Sequence, residues 1–197
     1  IECALLKVFG SETLDYVADE TVQVFGGMGY SADAPADRCY RDSRINRIFE
    51  GTNEINRILS IGTIIKRSMK GELDVMSAAM EVQKELMSGA RPELPAKGTN
   101  FEYEKALIKH YKKALLITAG AAVQALGTAF NDEQEVMLHL ADMLMNIYAA
   151  ESAVLRTEKL VGRKGADTCQ MQLDLTNTFL HDTADSIYTS GKQAVSA

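Results

Sequence analysis

Apolar residues recur at three- and four-residue spacing along most of this chain, a period that predicts helices. Leu5, Val8, Phe9, Leu14, Val17, Thr21 and Val24 mark one helix over residues 1–24. It stops at Phe25-Gly26-Gly27, where two glycines open backbone conformations denied to other residues. A loop is predicted over 28–36, ending in Ala34-Pro35, then a short helix from Ala36 to Ile45. Thr52 has the chemistry of an N-cap for the next helix, which runs to about Lys70, and Glu54 suits the positive end of that helix's dipole. Beyond Gly71, helices are predicted over 72–88, 102–130, 132–164 and 167–194, with Asp132 and Asp167 as N-caps. The stretch 89–100, which holds two of the three prolines, reads as a linker; Asn131-Asp132 and Gly162 to Gly165 mark turns. Long amphipathic helices joined by short connections pack as antiparallel neighbours. The expected fold is therefore all-α: a helical portion over 1–70, then a second antiparallel helical bundle over 71–197.

Composition changes this picture little. An apolar fraction of 46% suffices for a core, and three prolines suit long helices. The net charge of −6 with scattered basic residues argues against a nucleic-acid surface. Cys3, Cys39 and Cys169 are odd in number and far apart, so they suggest neither a disulfide framework nor a metal site; a reducing compartment is the plain expectation. The chain opens at Ile1 inside a helical pattern, as an excised piece of a longer protein would. Its most apolar run, Ala114 to Phe130, is interrupted by Thr118, Gln124 and Thr128 and sits at the short limit for a membrane span. A buried bundle helix rich in small residues is expected there. Lys66, Arg67, Lys70 and Lys84 lie near Met69, Met76, Met80 and Met87, a weak interfacial pattern. Glu72, Asp74, Glu81 and Glu85 dilute it, so bundle packing is preferred over membrane association.

The chemistry concentrates in Arg41-Asp42-Ser43-Arg44-Ile45-Asn46-Arg47-Ile48-Phe49-Glu50-Gly51-Thr52-Asn53-Glu54-Ile55. One carboxylate, Glu50, follows an apolar pair and directly precedes a glycine and a helix start. An apolar setting would strengthen it as a base, because burial disfavours the charged carboxylate. Gly51 lets a substrate lie against the backbone, since no Cβ intervenes. Taken alone, an acid near a helix start is ordinarily a solvated surface residue. Upstream, however, lies a second signal, Gln23-Val24-Phe25-Gly26-Gly27-Met28-Gly29-Tyr30. Order and spacing of the two motifs together resemble the C-terminal domain of acyl-CoA dehydrogenases, over roughly residues 1–60.

That resemblance implies an FAD-dependent oxidoreductase that converts fatty acyl-CoA to trans-2-enoyl-CoA in β-oxidation. It implies Glu50 as the base that removes the α-proton, with its backbone N–H donating to the thioester carbonyl. It also implies that Thr52, Asn53 and Glu54 touch FAD, while Gln23, Val24, Phe25, Gly26 and Gly27 reach the FAD of a neighbouring subunit. The excess length over 71–197 resembles the very-long-chain type, which implies a homodimer of the full-length protein. Electrons would pass to an electron-transfer flavoprotein. The compartment would be the cytoplasm in a bacterium, favoured here, or the mitochondrial matrix or inner-membrane face in a eukaryote. The 197 residues alone are expected to bind FAD poorly and to be inactive. A non-catalytic helical assembly module keeping the motif by ancestry is the alternative. Arg38, Arg41, Arg44 and Arg47 read as an ion-paired stripe in preference to a coenzyme A phosphate clamp. Tyr30 and Tyr40 read as packing residues, and His110, His139 and His181 as satisfied bundle histidines.

Overall fold

The computed structural model describes residues 1–89, 93–98 and 100–197, and among these every regular element is helical. The all-α expectation holds. The chain divides into two compact units, Ile1–Ile64 and Ile65–Ala197.

In the first unit α1 spans Glu2–Phe25 and stops at Gly26, whose φ of 59° only glycine adopts without strain; its N–H bonds back to the Gln23 carbonyl. A four-residue helix, α2 (Gly27–Tyr30), follows where a loop was expected. It folds tightly against α1: a Cβ at Gly29 would sit 2.5 Å from the Val22 carbonyl oxygen. Helix α3 (Pro35–Arg44) starts one residue earlier than expected, because proline at the first helical position arrives with a helical φ and lacks only an N–H the helix does not use. A 3₁₀ turn, Ile45–Arg47, leads towards α4 (Asn53–Met69), whose last residues extend past Ile64. The Ile55 N–H donates to Thr52 Oγ1 at 3.3 Å, the expected N-cap.

The buried stripe of α1 is Leu5, Val8, Ser11 and Ala18. The apolar positions that mark this helix do not all face inward: Leu14, Val17 and Val24 lie on the surface, Val24 at 83% exposure. The interior of this unit is correspondingly small and polar, with Ser43, Asn53, Asn56 and Ser60 buried beside Ile61.

The second unit is a helical bundle. Helix α5 (Val75–Met87) is capped by Asp74, whose side chain accepts from the Ser77 N–H. Of the expected linker, Ala90, Arg91, Pro92 and Thr99 lie outside the described residues, and 93–98 carry no regular structure. Helix α6 (Glu102–Leu126) runs into a 3₁₀ turn (Gly127–Asn131), α7 spans Gln134–Lys164, and α8 spans Gln170–Ser196 after a 3₁₀ turn at Asp167–Cys169. Asp132 and Asp167 are not the caps expected: Glu133 and Cys169 flank α7 and α8, and neither supplies a side-chain cap bond.

The most extensive packing is α7 on α8, with α6 against both and α5 chiefly against α6. Small side chains let the α7 and α8 backbones approach. Ala141 and Ala150 are fully buried, and Thr157 and Thr176 share a hydrogen bond of 2.7 Å. Phe101, Ile108, Val154 and Leu180 fill the core at one end, each aliphatic contributing about 2 kcal/mol by leaving water. Tyr111 Oη donates to the Leu180 carbonyl at 2.9 Å, and burial above all raises its phenol's pKa.

Helix α6 with its 3₁₀ extension, residues 102–131, is long and apolar enough to cross a membrane by length and composition. In this bundle it packs on three helices, but most of the 114–130 run is only half-buried, short of the full burial expected. The reason is its alanine and glycine content, which packs one side closely without covering the rest. Met69, Met76, Met80 and Met87 are all exposed. His139 lies 3.9 Å from Glu135, His110 is half-buried, and His181 is exposed, so the last is a surface residue and no part of the bundle interior.

Candidate active site

The turn between the 3₁₀ segment Ile45–Arg47 and α4 carries the motif. Glu50 has φ 59° and Gly51 φ 78°, two successive left-handed residues. For glycine this is ordinary; for glutamate it costs about 1–2 kcal/mol, so surrounding bonds must hold it. They are present. Asn56, in the first turn of α4, points its Nδ2 back at three consecutive carbonyls, those of Gly51 (2.8 Å), Thr52 (3.1 Å) and Glu50 (3.4 Å). From α1, Lys7 Nζ donates to the same Gly51 carbonyl at 2.8 Å and to Asn53 Oδ1 at 2.7 Å.

Asn53 is 1% exposed, and its amide is used on both ends. Its Nδ2 donates to Ser11 Oγ at 2.9 Å and to Glu12 Oε1 at 3.1 Å. Glu12 in turn receives both guanidinium nitrogens of Arg57 at 2.7 and 2.8 Å, a bidentate pair of restricted geometry. The chain Lys7, Asn53, Glu12, Arg57 thus ties α1 to the start of α4 with Glu50 and Gly51 suspended between them.

The Glu50 and Gly51 N–H groups make no hydrogen bond to any described residue. Beside them lies an open groove of about 280 Å³, lined by Leu6, Lys7, Gly10, Ser11, Leu14, Asn46, Phe49 and Glu50. Glu50, whose N–H has no partner among the described residues, and the apolar side chains of Leu6, Leu14 and Phe49 therefore line one space. The apolar burial expected for Glu50 is absent: Glu50 is exposed, and Ile48 and Phe49 are about half exposed. Both side chains lie at the surface of a turn, with no layer of this unit over them.

The other expected residues fall in two places. Thr52 caps α4, and Glu54, exposed in its first turn, has its carboxyl held below the usual range, chiefly by a hydrogen bond from its own backbone N–H. Gln23, Val24, Phe25, Gly26 and Gly27 form the exposed end of α1 and do not line this groove. Nothing lies within 4 Å of a Cβ placed on Gly26 or Gly27, so their backbone is open to approach. The arginine stripe is half paired. Arg47 meets Asp15 at 2.8 Å and Arg38 meets Asp42 at 3.6 Å, while Arg41 and Arg44 form no ion pair among the described residues. The exposed Arg38 pair contributes well under about 1 kcal/mol. Lys7, Ser11, Glu12, Asn56 and Arg57 escaped the sequence reading. The available signal was weak: an Asn-Glu-Ile-Asn-Arg run after the motif, offering two amides and an arginine for a four-residue gap in α1 to receive.

Two family models match. Both are described as acyl-CoA dehydrogenase, C-terminal domain, one over residues 1–65 and the other over 110–197. A probable acyl-CoA dehydrogenase of Bacillus subtilis (strain 168) is 47% identical over the whole chain, which spans 33% of that protein. The very long-chain specific acyl-CoA dehydrogenase, mitochondrial, of Rattus norvegicus is 52% identical over 58 residues, 29% of this chain and 9% of the relative. The crystal structure of an acyl-CoA dehydrogenase complexed with FAD from Bacillus anthracis superposes on 98% of this chain with a TM-score of 0.90 and 44% identity; this chain covers 32% of it. The chain thus spans about a third of the length of the bacterial relatives it matches.

Proposed function

The chain belongs to the acyl-CoA dehydrogenase C-terminal domain family, and on that premise we propose that its Glu50 is the base of an α,β-dehydrogenation of fatty acyl-CoA. The observation that carries this is the turn itself. A glutamate held in the left-handed region, with its own N–H unpartnered, presents a proton acceptor and an oxyanion donor from one residue. Glu50 Oε takes the α-proton, and the Glu50 N–H stabilises the charge that develops on the thioester oxygen. Gly51 leaves room for the thioester against the backbone.

FAD fits the residues present. The first turn of α4 offers backbone donors at the positive end of a helix, and the Gly26-Gly27 backbone is open to a phosphate. Thr52, Glu54 and the backbone of Asn53 would hold one flavin, and Gln23 to Gly27 a second, across a subunit boundary. Asn53's side chain is committed to Lys7, Ser11 and Glu12, so its contribution to a flavin is main-chain. When bound, the flavin supplies the two-electron acceptor for the β-hydride. A homodimeric enzyme of very-long-chain type, acting in β-oxidation in a bacterial cytoplasm and passing electrons to an electron-transfer flavoprotein, completes the proposal. The length of helical chain beyond residue 70 is what suggests that type.

The test is anaerobic bleaching of the flavin absorbance by a C8–C16 acyl-CoA series, with the full-length protein and its Glu50→Gln variant. Bleaching in the parent and its loss in the variant is the expected result. Equal bleaching in both would remove Glu50 from the role of base.

A further inference from the structure

We infer that Lys7 is a positioning residue for Glu50: its ammonium fixes the left-handed turn that presents the carboxylate and the N–H to the groove. The inference rests on the proposal that Glu50 is the base. It starts from a charge in an unusual place. Lys7 lies half-buried on α1, its Nζ within 2.8 Å of two neutral oxygens, the Gly51 carbonyl and Asn53 Oδ1, and it forms no ion pair with any described carboxylate. A lysine that serves only solubility keeps its ammonium in water. Here the ammonium is held on the carbonyl of Gly51, the residue immediately after Glu50.

Geometry gives that contact its effect. The Gly51 carbonyl belongs to the Gly51–Thr52 peptide, joined to Glu50 through the second of two successive left-handed residues, so anchoring it fixes the end of the turn from which Glu50 projects. Asn56 holds the carbonyl from the α4 side and Lys7 from the α1 side, and among the described residues Lys7 alone ties that carbonyl to α1, which lines the groove with Leu6, Gly10 and Leu14. With Lys7 replaced by an apolar chain, the turn keeps Asn56 but loses its register against Leu6, Gly10 and Leu14. A base displaced by a fraction of an ångström loses rate without losing substrate, because reacting atoms must sit within about 3–3.5 Å.

The experiment uses the full-length flavoprotein with Lys7→Met, Lys7→Arg, Glu50→Gln and the double variant Lys7→Met/Glu50→Gln. Rates are expressed per bound flavin, alongside KM and the kinetic isotope effect with α-deuterated acyl-CoA. Lys7→Met is expected to lower kcat per flavin about ten- to hundred-fold, with KM within about three-fold and a larger isotope effect. Lys7→Arg, which keeps charge and donors, should recover most of the rate. The double variant should be no slower than Glu50→Gln. Loss of flavin content with unchanged kcat per flavin would overturn the inference, making Lys7 a stability residue. Further loss in the double variant would overturn it too, since Lys7 would then act apart from Glu50. Glu50→Gln is read separately: if it alone retains full rate, the base assignment falls and the inference with it, whereas its inactivity beside an unaffected Lys7→Met sinks the inference alone.

Discussion

Asn53→Ala removes the amide at the centre of the bonds supporting the Glu50 turn. Asn53 is buried, bonded to Lys7 at 2.7 Å, Ser11 at 2.9 Å and Glu12 at 3.1 Å. A neutral hydrogen bond contributes about 1 kcal/mol net, and one to a charged group about 1.5–3 kcal/mol. The lower figure suits both charged partners, because Lys7 and Glu12 are half-buried and each keeps another bond, to Gly51 and to Arg57 respectively. The bonds then sum to roughly 4 kcal/mol, and alanine's better helix propensity returns a few tenths of that. Water entering the space reduces the total further, giving an expected loss of about 2–4 kcal/mol. The assay is urea unfolding of the 197-residue chain followed by far-UV circular dichroism, with the variant compared at unchanged m-value. Because every partner lies within Ile1–Ile64, the shift belongs to the transition of that unit. A loss below about 1 kcal/mol at constant m would refute the claim that this network holds the turn.

Gly29→Ala should destabilise the first unit by about 1–3 kcal/mol in the same titration, because its Cβ would meet the Val22 carbonyl at 2.5 Å and Phe25 Cβ at 2.9 Å; Gly27→Ala, with open space around it, should stay within about 0.5 kcal/mol, and equal effects would contradict the close approach of α2. Glu54→Gln tests the lowered carboxyl at the start of α4. A folded pKa below the ordinary value near 4.3 stabilises above that value and is lost as pH falls through the folded one. The gap between parent and variant should therefore be present at pH 7 and close in acid, read from thermal midpoints over pH 2–7; a gap unchanged at the acid end would refute it.

The helices were legible because a 3.6-residue period needs only a few turns to declare itself, and α1, α4, α6, α7 and α8 each offer several. Helix α2 has four residues and no period; what makes it is a glycine packed under the Val22 carbonyl, which is a tertiary fact. The cap errors share one origin. Asp132 closes the 3₁₀ turn Gly127–Asn131 and Asp167 opens the one at Asp167–Cys169, so each aspartate belongs to a 3₁₀ turn and not to the boundary of α7 or α8. In α1 the period located the helix but not its buried side. Leu14, Val17 and Val24 share spacing with Leu5 and Val8, yet the face that packs continues through Ser11 and Ala18. Small residues admit a close neighbour, and a hydropathy pattern undervalues them.

The candidate site divides in the same way. The motif pointed to the turn that carries Glu50, but what orients that turn and what would cover it have different sources. Orientation is built inside the first unit, by Asn56 and Lys7 acting on backbone carbonyls and not on the carboxylate itself. An apolar cover is not built there. Glu50 is exposed beside half-exposed Ile48 and Phe49. On the proposed function, an acyl chain laid along Leu6, Leu14 and Phe49 would supply that cover. The proposed function therefore asks for a turn whose geometry is fixed before the groove is filled, and the bonds of Asn56 and Lys7 to the Gly51 carbonyl fix it within this unit.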